Sequence, residues 1–159
     1  MATSVSIVPA TEAHCRELAP VMRPEDCAEV RAVTGLEPLD VLLVSVSESR
    51  QSWAGYLDGE LATIFGIRDI THLSGTALIW ALSGPRVEER PVGFVRACRH
   101  VLPYLLSTAE LIFNAIDCRH SKALRWAKHL GFSVGEPQPY GVEQLPFRLI
   151  WMRKEPSHV

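Results

Sequence analysis

Hydrophobic positions toward the end of the chain change from a strand pattern to a helix pattern. Residues 111–116, LIFNAI, are mostly apolar on both faces, which predicts a strand covered on both sides. The apolar residues that then recur three and four positions apart are Ala123, Trp126, Ala127 and Leu130. This spacing predicts an amphipathic helix, and Gly131 stands where a left-handed residue commonly ends one. A further strand is expected to begin at Phe132.

The remainder of the chain predicts strands and helices in a mixed order. The predicted strands cover residues 4–8, 53–57, 61–67, 77–82, 111–116, 132–134 and 147–152, and the predicted helices include 24–32, 37–47 and 91–106, after a first helix capped by Thr11. The dipeptide Asp58-Gly59 predicts a tight hairpin, and residues 137–141 predict a Pro/Gly-rich loop. Pro103 is expected to kink or fray the last turn of the long helix.

The long helix has a consequence for the direction of its neighbouring strands. A crossover of this length joins parallel strands, so strands 77–82 and 111–116 are expected to run parallel in one mixed sheet. The 159 residues, with 47% apolar and 21% charged side chains, suit one globular domain, and the sequence contains no linker or repeat.

Charge and hydropathy exclude several classes of partner. The formal net charge of -2 lacks the excess of Lys and Arg that nucleic-acid binding requires, so no nucleic-acid partner is expected. No segment approaches the roughly 20 apolar residues of a membrane span, and no signal-like segment begins the chain. We therefore expect a cytoplasmic protein with no membrane partner.

The four cysteines are scattered along the chain. They are Cys15, Cys27, Cys98 and Cys118, and they form neither a C-x-x-C pair nor a metal-ligand spacing with histidine. We expect reduced, mostly buried thiols and no metal site. For Cys118, which follows a predicted strand, a reactive thiol is the alternative.

Residues 114–132, NAIDCRHSKALRWAKHLGF, resemble the last characteristic segment of the GNAT superfamily of acyl-CoA N-acyltransferases. That segment has the form Asn, two residues, Ala, two residues, Leu, Tyr, three residues, Gly, Phe. An ungapped alignment places His120 on the family's Asn, Ala123 on its Ala, Trp126 on its Leu, Ala127 on its Tyr, and Gly131 and Phe132 on its Gly-Phe. In the family this tyrosine protonates the leaving thiolate of coenzyme A, and Ala127 has no proton to donate.

The resemblance implies a fold and a cofactor. The fold is an α/β mixed sheet of about seven strands with helices on both faces, in which parallel central strands 77–82 and 111–116 splay apart. Acetyl-CoA would be the cofactor, with its pantetheine arm in the wedge between these strands. The family's pyrophosphate loop carries Gln or Arg, two residues, Gly, one residue, then Gly or Ala. Arg90 and Gly93 match that pattern, whereas Val95 replaces the small residue.

Candidate contacts to coenzyme A follow from this alignment. They are Trp80, Ala81, Leu82, Arg90, Gly93, Phe94, Val95, Arg96, Asn114, Ala123 and Trp126. Each assignment has an alternative. Arg90 could be a solvated residue at an ordinary capped helix, and Arg96, Arg99 and His100 could form a solvated helix face. Asn114 could hydrogen-bond the backbone of a neighbouring loop.

His120 is the candidate catalytic residue. An imidazole titrates near neutral pH, so it could orient the substrate or act as a base, and a loop or cap histidine without a chemical role is the alternative. Glu60, Glu88 and Glu89 are the nearest carboxylates to the expected site, either as a general base or as surface charges.

A narrower resemblance concerns context. Residues 48–67, 76–84, 90–100 and 114–132, with the terminal FRLIWMRK, are similar to small GNAT-like proteins encoded among the virion genes of short-tailed bacteriophages. This resemblance leaves two hypotheses. The chain is an acyl-CoA-dependent N-acetyltransferase that modifies an amine, for example on a protein, or it is a catalytically inert protein of virion assembly. In the second case its partner would be a phage protein, or a host protein in the bacterial cytoplasm.

Overall fold

A computed structural model describes residues 2–71 and 73–156, which form a seven-stranded mixed sheet with helices on both faces. The strands are β1 Val5–Pro9, β2 Gln51–Leu57, β3 Glu60–Asp69, β4 Thr76–Ser83, β5 Leu111–Asp117, β6 Ser133–Tyr140 and β7 Leu145–Arg153. The helices are α1 Glu12–Leu18, α2 Pro24–Thr34, α3 Pro38–Glu48, α4 Arg86–Glu89, α5 Pro91–Ser107 and α6 Ser121–His129. A single 3-10 turn, Ala19–Val21, joins α1 to the segment before α2.

The strand order across the sheet is β1-β2-β3-β4-β5-β7-β6. Strands β4 and β5 are parallel, and the other neighbouring strands are antiparallel. The crossover between β4 and β5 contains α5, whose length of 17 residues is ample for a parallel connection. The expected parallel pair at the centre of the sheet is therefore confirmed.

Strands β4 and β5 pair only at their beginnings. Their register joins Thr76, Ala77 and Leu78 of β4 to Leu111, Ile112 and Phe113 of β5, respectively, and the two strands then separate. We call the opening between residues 79–83 and residues 114–117 the wedge. The splayed geometry expected from the resemblance is thus present, and it leaves the C-terminal halves of both strands without each other as ladder partners.

Helices cover the sheet in two groups. Helices α1, α2 and α3 pack on one face, where Leu18, Leu42 and Ile64 are fully buried in one core. Helices α5 and α6 pack on the other face, where Ile67 and Ile112 lie in a second core. None of the helices in the described ranges 2–71 and 73–156 is long and apolar enough to cross a membrane.

Two local predictions are confirmed in detail. Asp58 and Gly59 both have positive φ, at 50° and 78°, as the turn of a two-residue β2–β3 hairpin requires. Gly131 has a φ of 98° and ends α6. The N–H of Gly131 donates to the carbonyl of Lys128, and the N–H of Phe132 donates to that of Ala127, a Schellman motif.

One local prediction is wrong, and one short helix was not expected. The segment 137–141 is not all loop, because Pro137, Pro139 and Tyr140 belong to β6 and pair with β7. Strand β6 lies at the edge of the sheet, and prolines are tolerated there because their missing N–H is not needed by a neighbour. Helix α5 continues through Pro103 to Ser107, and the short helix α4 was not anticipated.

We predict that Gly131→Ala lowers the free energy of unfolding by about 1–2 kcal/mol, the usual strain of a left-handed L-residue. An added Cβ would meet only the Met152 methyl at 3.7 Å, so the loss comes from the backbone. Gly135→Ala in the edge strand is the control, because its φ is not positive and its added Cβ makes contacts of 3.5 Å. Urea unfolding of both variants tests this, and equal stabilities would contradict it.

Candidate functional site

A cluster of buried polar side chains lies at the open end of the wedge. Its members are Arg23, Asp26, Thr63, Ser83, Asp117 and His120, each less than a tenth exposed. Buried charges are costly unless they are paired and hydrogen-bonded, so such a group at one end of a sheet marks a candidate functional site.

Helix α2 spans the wedge and bonds to both splayed strands. The N–H of Ser83, at the end of β4, donates to Oδ2 of Asp26 over 2.9 Å. The N–H of Asp117, at the end of β5, donates to Oε2 of Glu29 over 3.1 Å. Residues three apart lie on the same side of a helix, so one turn of α2 supplies a carboxylate to each strand.

Asp26 is the centre of the buried network. Its carboxylate also accepts hydrogen bonds from Nε and Nη2 of Arg23, at 3.2 and 3.1 Å. Burial alone would raise the pKa of Asp26, but hydrogen bonds from His120, Arg23 and the Ser83 amide, with the charge of Arg23, hold this pKa below its ordinary value. Asp26 is therefore an anion that fixes its neighbours in place.

Glu29 has the opposite character. Burial raises the pKa of its carboxyl to about 7, against a weaker lowering by the hydrogen bond from the Asp117 amide. A carboxyl with this pKa is a mixture of charged and neutral forms at neutral pH. It is therefore suited to exchange protons with a bound group.

His120 is the N-cap residue directly before α6 and is 3% exposed. Its Nε2 lies 3.1 Å from Oδ1 of Asp26 and 3.4 Å from Nη2 of Arg23. Its Nδ1 is buried and has no hydrogen-bond partner in the part of the chain that the structure describes. Donation from Nε2 to the Asp26 carboxylate would leave Nδ1 as an acceptor, a tautomer assigned from these partners.

The wedge continues into a cavity of about 230 Å³ between the sheet and helices α5 and α6. Seven of the predicted site residues line it: Trp80, Ala81, Phe94, Asn114, His120, Ala123 and Trp126. Arg23, Asp26 and Glu29 line the same cavity, which connects the polar cluster to the apolar interior. The structure thus brings together most residues that the sequence assigned to the site.

The other five predicted residues lie outside the cavity lining. They are Leu82, Arg90, Gly93, Val95 and Arg96. Nε of Arg90 donates to Oδ2 of Asp58 over 2.9 Å, and Nη2 of Arg96 donates to the carbonyl of Thr3 over 2.9 Å. An added Cβ on Gly93 would lie 2.6 Å from Cβ of Thr3. The glycine thus permits close approach of the N-terminal segment to the start of α5.

Backbone amides of both strands face the wedge. Successive N–H groups on one side of a strand are two residues apart. The bond from the Ser83 amide to Asp26 therefore indicates that the amide of Ala81 also points into the wedge. On β5 the amide of Ala115 donates over 2.7 Å to Oδ1 of Asn114. In this structure Asn114 thus binds the backbone of its own strand.

The three carboxylates proposed from sequence have different surroundings. Glu88 pairs with Lys122 at 3.2 Å and with Arg23 at 3.5 Å, and so joins the network at the wedge. Glu60 and Glu89 instead both pair with Arg86. The alternative of surface charges therefore describes Glu60 and Glu89 best.

The sequence patterns do not single out Arg23, Asp26 and Glu29 as site residues. Asp26 lies in the first turn of α2, where an acidic residue is commonly explained by the helix dipole. One signal was present. Asp26 precedes the buried Val30 by four residues and so lies on the apolar face of α2, where a charged side chain requires a partner.

Cysteine chemistry and metal binding find little support. Cys15 is buried, Cys27, Cys98 and Cys118 are half-buried, and all four are free thiols. Burial raises the pKa of the Cys98 thiol to about 11, so this cavity-lining residue is a thiol at neutral pH. Within residues 2–71 and 73–156, no group of three His, Cys, Asp or Glu side chains could hold a metal ion.

Comparison with known proteins gives a likeness in structure only. No family model matches the sequence, and a search of curated proteins also finds no match. Among solved structures, the chain is similar to yncA of Salmonella typhimurium, solved with its cofactor acetyl-CoA. The TM-score is 0.65 at 14% identity, covering 98% of this chain and 97% of that one.

Two further structures are similar over nearly their whole length. The ribosomal L7/L12 alpha-N-protein acetyltransferase RimL, in complex with coenzyme A, gives a TM-score of 0.70 at 9% identity and covers 94% of each chain. Spermidine N-acetyltransferase from Vibrio cholerae, in complex with coenzyme A and spermine, gives 0.68 at 12% identity and covers 94% of this chain and 95% of that one. These likenesses, together with the splayed parallel strands, show that the chain has the GNAT fold.

Proposed function

We propose that this protein binds an acyl-CoA thioester in the wedge and transfers the acyl group to an amine. The observation that carries this proposal is the wedge itself, where two parallel strands separate beside a cavity and turn backbone amides toward it. An extended pantetheine arm can pair with such strand edges as an added strand would. The bound acetyl-CoA and coenzyme A of the similar structures support the choice of cofactor.

The buried cluster supplies the groups that such a transfer needs. The amine nitrogen attacks the thioester carbonyl carbon, the C–S bond breaks, and coenzyme A leaves as a thiolate. The amide of Ala81, which points into the wedge, would stabilise the negative charge that develops on the carbonyl oxygen. His120, oriented through Nε2 by Asp26, would accept the proton of the amine on Nδ1.

Glu29 would act on the amine before the attack. An amine arrives mostly as an ammonium ion, and a partly charged carboxyl beside the cavity attracts it and can take its first proton. No tyrosine is present at position 127 to protonate the leaving thiolate. That position holds Ala127, which is buried and lines the cavity. A thiolate is a tolerable leaving group, so solvent would protonate it.

A second candidate function is supported by specific contacts. Asp26 and Glu29 already bond the strand amides, Thr3 covers Gly93, and position 127 lacks an acid. These features suit a GNAT-fold protein without catalysis, in which the domain is a scaffold in virion assembly or in contact with a host protein. Absence of coenzyme A binding would favour this second function.

The first prediction of the enzyme proposal concerns cofactor binding. Calorimetric titration should show acetyl-CoA binding at micromolar to low millimolar concentration. Ala123→Phe, which adds a ring inside the cavity lining, should weaken it at least tenfold. The control Arg125→Phe adds the same ring to an exposed position of α6 and should leave binding within about twofold. Binding unaffected by Ala123→Phe would place the cofactor elsewhere.

The second prediction concerns His120. His120→Gln should lower kcat for acetyl transfer by about 10²-fold or more while changing the dissociation constant of acetyl-CoA little, because a general base acts in the transition state. The amines tested are spermine, spermidine and lysine-containing peptides. His129→Gln, at an exposed position of the same helix, is the control. Unchanged kcat in a folded His120→Gln protein would reject this role.

The third prediction concerns the proton affinity of Glu29. A carboxyl with a raised pKa stabilises the fold below its unfolded value, near 4.5, and this contribution is lost as pH rises through about 7. Glu29→Gln is always neutral, so its stability relative to the parent should increase by about 3 kcal/mol between pH 4.5 and pH 8. Urea unfolding at both pH values measures this change.

Glu25→Gln provides the matched control for the same helix, because Glu25 is exposed. Its effect on stability should differ by less than ~0.5 kcal/mol between the two pH values. A pH-independent difference between Glu29→Gln and the parent protein would show that folding does not raise the pKa of Glu29, and would contradict this prediction.

A further inference from the structure

The cavity beside the wedge is larger and more apolar than an acetyl group requires. Most of the residues that line it are apolar. Here the cavity measures about 230 Å³. An apolar cavity of about 150 Å³ in another protein binds benzene, a ligand of six carbons. By volume, this cavity has room for a chain of more than six carbons.

The two ends of the cavity differ in chemistry. At one end lie Arg23, Asp26, Glu29 and His120, beside the C-terminal ends of β4 and β5. The other lining residues reach Leu105, which packs in a core with Ala77 and Ile112 near the paired beginnings of these strands. The cavity lining therefore joins polar residues at the ends of β4 and β5 to apolar residues beneath α5.

The apolar part of the lining beneath α5 and α6 suits a hydrocarbon chain and not a polar arm. Its lining residues are Val101, Leu102, Leu105, Leu130, Phe132 and Ile150. None of these side chains can bond the amide groups of a pantetheine, which would stay unpaired there at a considerable cost. Methylene groups, in contrast, gain from leaving water.

We propose that the acyl group carried by the thioester is a straight chain of about eight carbons, which occupies this cavity with its carbonyl at the polar end. This inference rests on the proposed function, because the same wedge holds the thioester. The charge of the polar end favours a thioester over a free acid. Asp26 is ionised and already pairs with Arg23, and Glu29 adds a second carboxyl, so a free carboxylate would be repelled.

The test is calorimetric titration of the parent protein with acetyl-CoA, butyryl-CoA, octanoyl-CoA, coenzyme A and octanoate. Each buried methylene should tighten binding about fourfold. Octanoyl-CoA, with six more methylenes than acetyl-CoA, should therefore bind on the order of 10³-fold tighter if all six are buried, and octanoate alone should bind weakly. In acyl transfer, octanoyl-CoA should show the lower KM.

A variant locates the chain in the cavity. Val101→Phe fills the apolar part and should weaken octanoyl-CoA binding at least tenfold while changing acetyl-CoA binding less than threefold. Val44→Phe, at an exposed position of α3 on the opposite face of the sheet, is the control and should change neither. If Val101→Phe does not fold, the titrations of the parent protein with the thioesters of different chain length are sufficient to test the proposal.

Each adverse result has a distinct meaning. Acetyl-CoA and octanoyl-CoA of equal affinity would overturn the long-chain proposal and leave the acyl-CoA function intact. Octanoate that binds as tightly as octanoyl-CoA would show a free-acid site and also overturn it. If neither thioester nor coenzyme A binds, the proposed function fails together with this inference.

Discussion

The divergence of β4 and β5 is the constraint on which the rest of the site depends. A parallel ladder that stops after Leu78 and Phe113 leaves backbone amides inside the protein that need other partners. The side chain of Asp26 accepts the hydrogen bond of the Ser83 amide, and that of Glu29 accepts the bond of the Asp117 amide. The side chain of Asn114 accepts the bond of the Ala115 amide. The buried polar cluster is thus a direct consequence of opening a sheet at its centre.

The same amides explain how the fold can serve a ligand. When a ligand enters the wedge, the strand amides can exchange their side-chain acceptors for acceptors on the ligand. Binding at these strand edges therefore leaves no buried N–H group without a partner. The carboxyl groups of Asp26 and Glu29 differ in how firmly their charged state is held. Asp26 is held as an anion by Arg23 and His120, whereas the raised pKa of Glu29 makes its bond to β5 dependent on pH. Glu29 is the member of the cluster most easily changed by a bound amine.

Sequence patterns predicted most of the fold because each element has a strong local signal. The Asp58-Gly59 turn, the stop at Gly131 and the long crossover helix specify the hairpin, α6 and the parallel pair. The loop predicted at 137–141 failed because edge position, which permits prolines in β6, depends on the whole sheet. The same difference between local and long-range signals applies to the site. Predicted residues on β4, β5 and α6 line the cavity, whereas α2 comes from far away in sequence, and its carboxylates meet the wedge only after folding.

The central claim is that the amides of the splayed strands form the ligand-binding edge. Amide NMR spectra of the parent protein, recorded while coenzyme A is added, test it most directly. The account predicts that the largest shifts fall on Ala81, Ser83, Ala115 and Asp117, with smaller ones at Phe94 and Trp126 of the cavity lining. Saturating shifts confined to residues remote from the wedge, or no shifts at millimolar coenzyme A, would contradict it.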